Sequence, residues 1–184
     1  MTTKMTGAVR KDGGWALIGT QEASDDASLT QTGLSSVYDT YVVGLSNMVP
    51  VATSANSYLR LGDSSGVDSG ASDYVGLWQG FREGSTTADI QDEGAQTYIR
   101  LGSTAGSDSE EGRSFMMWIL NPGDAGVRNT VYGYAIGYSS DPKMRGEYIY
   151  GMRESVITLD RVNFLFSSGN IASGRMTVWG ISHE

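Results

Sequence analysis

Few side chains in this sequence can attack a bond, shuttle a proton or hold a metal. Histidine occurs once, at His183, second from the C-terminus. A Ser-His-Asp or Cys-His arrangement would depend on it, and a terminal tail holds a base poorly in register. Zinc needs several His or Cys ligands; this chain has one His and no cysteine. Carboxylates for glycoside hydrolysis are available at Asp89, Asp92, Glu93, Glu110 and Glu111. These read as solvated loop residues, and nothing around them implies a raised pKa. Asp63, Asp68 and Asp73, with Asp108 to Glu111, offer oxygen ligands for calcium, but without the D-x-[DN]-x-[DN]-G spacing. The glycine-rich stretches lack the closing Lys-Ser/Thr of a phosphate loop. The expectation is a protein that is not an enzyme and carries no cofactor or metal.

What remains is aromatic. Ten Tyr and four Trp can stack on sugars or bases, or fill cross-strand and subunit contacts. The elements that position them read as strands throughout. No window shows apolar residues at i, i+3, i+4 and i+7, whereas turn signals recur every 8–12 residues or somewhat wider. Trp15 to Ile18 reads as a strand stopping at Gly19, and Asp25 to Gly33 as a polar edge strand. Tyr38 to Leu45 is a stronger one, followed by a loop over Asn47 to Asn56 around Pro50. Along Val127 to Tyr138, Val131, Gly133, Ala135 and Gly137 alternate with Tyr132, Tyr134, Ile136 and Tyr138. One face of that strand is nearly bare, open to a close backbone neighbour within the fold or from a second subunit; the other is aromatic.

Two stretches repeat at an offset of forty residues: SYLRLGDSSGVDSG from Ser57 and TYIRLGSTAGSDSE from Thr97, with Trp78 and Trp118 following at the same offset. Two copies are too few for a propeller or solenoid. Leu59, Leu61, Ile99 and Leu101 are expected inward, with Tyr58, Arg60, Tyr98 and Arg100 outward. At the C-terminus, Val162, Phe164 and Phe166 share a parity with Met176 and Val178. A two-residue Gly169-Asn170 hairpin would set Phe164 against Arg175, on the wrong face. An odd-length loop centred on Asn170, pairing Phe164 with Met176, restores agreement; the favoured reading instead makes Ser167 to Gly174 a loop crossing between two sheets. Nine to eleven strands in an open β-sandwich result.

Composition bounds the rest. At 184 residues one domain is expected, and a net charge of −8 argues against non-specific nucleic-acid binding. No apolar run reaches the roughly 18 residues of a membrane helix, and no secretory signal is evident. Residues 1–14 stand apart: Lys4, Arg10 and Lys11 face a single acid, Asp12, while residues 15–184 are acidic overall. This stretch is either a frayed terminus or a basic arm that orders on an acidic partner.

The chain resembles small tailed-bacteriophage virion proteins with a jelly-roll-like β-sandwich. The resemblance rests on Tyr38-Asp39-Thr40-Tyr41 with Asn47-Met48-Val49-Pro50, and on Ser167-Ser168-Gly169-Asn170-Ile171 with Ser173-Gly174 and Val178-Trp179-Gly180-Ile181. Trp179 stands where that family has tyrosine. It implies an all-β, single-domain, jelly-roll-like antiparallel sandwich with a short N-terminal arm, commonly trimeric, on the exterior of a virion. The first expectation is a capsid decoration (cement) protein bound to the major capsid protein and to neighbouring copies of itself. Lys4, Arg10 and Lys11 are then the candidate capsid contacts. The alternative is a tail-fibre or baseplate module binding host glycan; a lectin-like sandwich unrelated to phage comes third.

Overall fold

The computed structural model describes residues 14–123 and 126–182. Those residues contain thirteen strands, all pairings antiparallel, and no helix. Numbered in chain order, the larger sheet places side by side β1 (Trp15–Asp26), β13 (Ile171–Ile181), β3 (Thr40–Pro50), β9 (Arg113–Leu120), β10 (Thr130–Tyr138), β11 (Met144–Arg153), β6 (Tyr74–Arg82) and β7 (Asp89–Gln96). The smaller sheet runs β2 (Leu29–Thr32), β12 (Arg161–Phe166), β4 (Ser57–Asp63) and β5 (Gly66–Val67), with β8 (Ile99–Arg100) also on β4. The expected all-β sandwich is what forms.

Period-two alternation builds the core. Phe115, Met117 and Ile119 of β9, Val131 and Ala135 of β10, and Met176 and Val178 of β13 are buried from the larger sheet. Leu59 and Leu61 of β4 and Val162, Phe164 and Phe166 of β12 meet them from the smaller one. The contact between layers includes Phe115 and Phe164, whose rings lie 6.1 Å apart. β12 and β13 belong to different sheets, so the chain does cross between them, but in a shorter loop than expected: residues 167–170 make the crossing, and Ile171 to Gly174 already belong to β13. Gly169 takes the turn at φ 69°, a conformation a Cβ would oppose.

Several boundaries differ from the sequence reading. β1 continues past Gly19 to Asp26, absorbing a bulge between Leu17 and Gly19. β3 likewise runs through Asn47, at φ 49°, to Pro50, which pairs with Ile171 at the strand's end. Asp89, Asp92 and Glu93 lie on edge strand β7 rather than in a loop. Its exposed, polar residues show no alternation; the unpaired backbone of β6 is what recruits it. The bare face of β10 turns inward: a Cβ at Gly133 would meet the Met116 carbonyl and the Met117 sulfur. Close approach there serves the sandwich itself.

The forty-residue duplication is only partly structural. Its first strands, β4 and β8, pair directly, and Tyr58 stacks on Tyr98 at 3.6 Å. The Leu and Ile positions point inward in both copies, as alternation requires. The tryptophans diverge, because Trp78 of β6 is buried while Trp118 of β9 lies on the opposite face of the same sheet.

Candidate interaction face

The outer face of the larger sheet is where the aromatic side chains gather. Register places Leu17, Trp179, Val42, Trp118, Tyr132, Tyr150 and Leu77 in one row across seven strands. The next row carries Met116, Tyr134, Tyr148, Gln79 and Ile90. Beyond it stand Ile136 and Phe81, flanking Gly146, and then Tyr138 beside Met144. Five of the ten tyrosines are therefore on one surface, each at least 42% exposed.

Local packing holds these rings in place. Trp118 stacks on Tyr132 (5.4 Å, 11° between planes) and leans on Tyr134 at 5.7 Å. Trp15 meets Trp179 edge-on at 5.9 Å. Trp179 lies over Gly44, where a Cβ would come within 2.9 Å of its ring. Val42, between Trp179 and Trp118, is fully buried although it points outward. The outward positions of β3, β9, β10, β11 and β6 carry no ionisable carboxylate, amine or guanidinium along these rows. Charges sit at the ends of the face: Asp92 of β7 stands opposite Leu77 at the end of the first row, Glu22 pairs with Arg175, and Asp141 pairs with Arg82 (3.1 Å) and Arg145 (3.5 Å). A hydrogen bond from Ser139, with Arg145 and Arg82 beside it, holds the Asp141 carboxyl below the usual range. A shallow recess of about 270 Å³ opens in the face between Val75, Leu77, Tyr150 and Met152, with Asp92 at its rim.

The chemical candidates scatter. Asp89 pairs with Arg145 at 2.9 Å and Glu93 with Arg100 at 3.0 Å, each as part of the rim between elements. Glu110 and Glu111 close a turn, where the Glu111 N–H donates to the Asp108 carbonyl. Of the calcium candidates, Asp63 is folded onto Ser65, whose N–H and hydroxyl lower its pKa. Asp68 and Asp73 both bind Arg153, at 3.0 and 3.3 Å. These carboxylates are spent on arginines and turns. Lys4, Arg10, Lys11 and His183 lie outside the described residues.

The sequence reading found the aromatic side of β10 and missed the surface it belongs to. The available signal was the Tyr148-Ile149-Tyr150 alternation, in phase with Tyr132 and Tyr134 once β10 and β11 are paired as neighbours.

Compared with protein-family models, with curated proteins and with solved structures, the chain matches none.

Proposed function

We propose that this protein is a non-enzymatic structural component of a bacteriophage particle, first of all a decoration protein on the outer capsid shell. The observation that carries the reading is the aromatic outer face, where five tyrosines, Trp15, Leu17, Leu77 and Phe81 each stand 42% exposed or more, a large exposed apolar patch of the kind that marks an interaction site. A surface of that kind is suited to burial against other protein in an assembly. The two segments that resemble phage virion proteins support it. They lie more than a hundred residues apart, yet β3 and β13 pair along their length. Val51 N–H donates to the Asn170 carbonyl and Asp39 N–H to the Ile181 carbonyl, closing both ends of that pairing. The motifs thus form one structural unit in the larger sheet, on its second and third strands from the β1 edge.

Co-sedimentation with undecorated, expanded capsids tests the proposal. Saturable binding at hundreds of copies per particle, in broad terms, supports decoration, whereas no binding overturns it. Removing Met1 to Asp12 is expected to leave a folded protein that no longer decorates, measured by the same sedimentation alongside far-UV circular dichroism. Undiminished binding of that truncated protein would refute a role for Lys4, Arg10 and Lys11. The exposed rings also favour a second reading, a tail module that stacks on host glycan. A copy number of only a few per virion would select it.

A further inference from the structure

We infer that the occupant of the aromatic face is a second copy of this chain, seated face to face in a symmetric pair rather than in the trimer that the motif resemblance implies. The inference rests on the preceding reading that protein covers this surface, and it names which protein. Area is the first argument. Trp15, Phe81, Tyr132, Tyr134, Tyr138, Tyr148 and Tyr150 are each 42–54% exposed. Half of a ring that buries about 150–250 Å² is roughly 100 Å², so the seven offer about 700 Å². Leu17, Leu77, Ile90, Ile136 and Met144, each about half exposed or more, add several hundred. One copy therefore presents more than the roughly 800 Å² per partner of a stable interface.

Charge chooses the occupant. The protein is acidic, at −8, yet β3, β9, β10, β11 and β6 present no charge along this surface, and the first row meets one only at its end, at Asp92 of edge strand β7. A basic partner would find nothing there to attract it, and an acidic one would gain nothing. The surface that fits is one equally free of charge, and the same face on another copy meets that requirement. Tyrosine makes such a face self-complementary, since each hydroxyl both donates and accepts. In a two-fold pair every contact occurs twice, so any side chain that one copy seats in the recess bounded by Val75, Leu77, Tyr150 and Met152 is matched by the same side chain of the other. The two sheets would then stack about 10 Å apart, as packed sheets do.

The test is the mass of the intact chain by sedimentation equilibrium, from low micromolar to several hundred micromolar. A monomer–dimer equilibrium is expected. Tyr134→Lys and Tyr134→Glu, both at an exposed position, should each raise the dissociation constant at least about a hundredfold, because each buries an uncompensated charge. Unchanged circular dichroism shows that both variants still fold. A monomer at every concentration, a trimer, or pairing unaffected by either substitution overturns the inference. Failure of this inference and failure of the proposed function are separable. A monomer that decorates capsids refutes only the pair; a dimer that ignores capsids refutes only the capsid role. A monomer that also fails to bind capsids refutes both.

Discussion

Replacing Glu147 with glutamine tests the least expected feature of the core. Arg113 and Glu147 are completely buried side chains on β9 and β11, joined through Nη2 and Oε2. The other carboxylate oxygen accepts the Ser103 N–H at 2.9 Å, and Nη1 donates to the Ser103 carbonyl and, at 2.9 Å, to its hydroxyl. Glycines make the space: a Cβ at Gly80 would lie 2.8 Å from Glu147 Cγ, and one at Gly102 would strike its carboxylate. Glu147→Gln keeps the shape and an acceptor for Ser103 but leaves the Arg113 guanidinium without a counter-charge. Breaking a buried pair from one side costs about 3–5 kcal/mol. For a chain of this length that is a fall in Tm of roughly 6–20 °C. Thermal and urea unfolding followed by circular dichroism measure it, and the loss should be nearly independent of salt. The double replacement Arg113→Met with Glu147→Met should recover most of it, because the pair's mutual attraction is largely offset by its desolvation. A loss under about 1 kcal/mol for Glu147→Gln would mean that water reaches the site, and the reasoning would fail.

Two further outcomes follow from the core. Burial raises the pKa of Tyr74 far above its ordinary value, and burial with the adjoining Tyr58 hydroxyl pushes Tyr98 up to about 12. A folded-state pKa above the unfolded value near 10 means stability is whole below pH 10 and lost as pH rises through 10 toward 12. Urea midpoints across that window should fall, and less steeply in Tyr74→Phe. That variant should also be about 1–3 kcal/mol weaker at neutral pH, because the Tyr74 hydroxyl accepts the Leu61 N–H and donates to the Leu61 carbonyl, both at 2.9 Å. Phe164→Ala removes a ring packed against Phe115 and Phe166 and should cost about 3–5 kcal/mol by urea unfolding; a loss below about 1 kcal/mol would contradict the packing described.

The parity of side chains was legible wherever one face of a strand is apolar. Val162, Phe164, Phe166, Met176 and Val178 were placed inward from alternation alone, and register excluded a tight hairpin before the crossing loop was seen. Strands without that contrast were not legible. β7 is polar on both sides and exists because β6 offers it a backbone. The stretch after Leu45 stays in β3 because a bulge at Asn47 carries the chain on to Pro50. The aromatic face was half visible: β10 and its hairpin partners are sequence neighbours, but Trp179, Leu77 and Phe81 join them through distant pairings. Arg113 and Glu147 gave no sign, since each stands among residues that suit a solvated turn or an edge.

The position of β13 between β1 and β3 sets a timetable for synthesis. β1 forms its ladder only with β13, from Trp15 opposite Ile181 to Asp26 opposite Ile171. A ribosome adding about 5–20 residues per second needs roughly 8–30 s to make the chain between them. Throughout that interval Trp15 and Leu17 ride on a segment with no sheet to join, exposed to chaperones and to other nascent chains. Of the described strands, the first to be made waits for the last before its ladder can form.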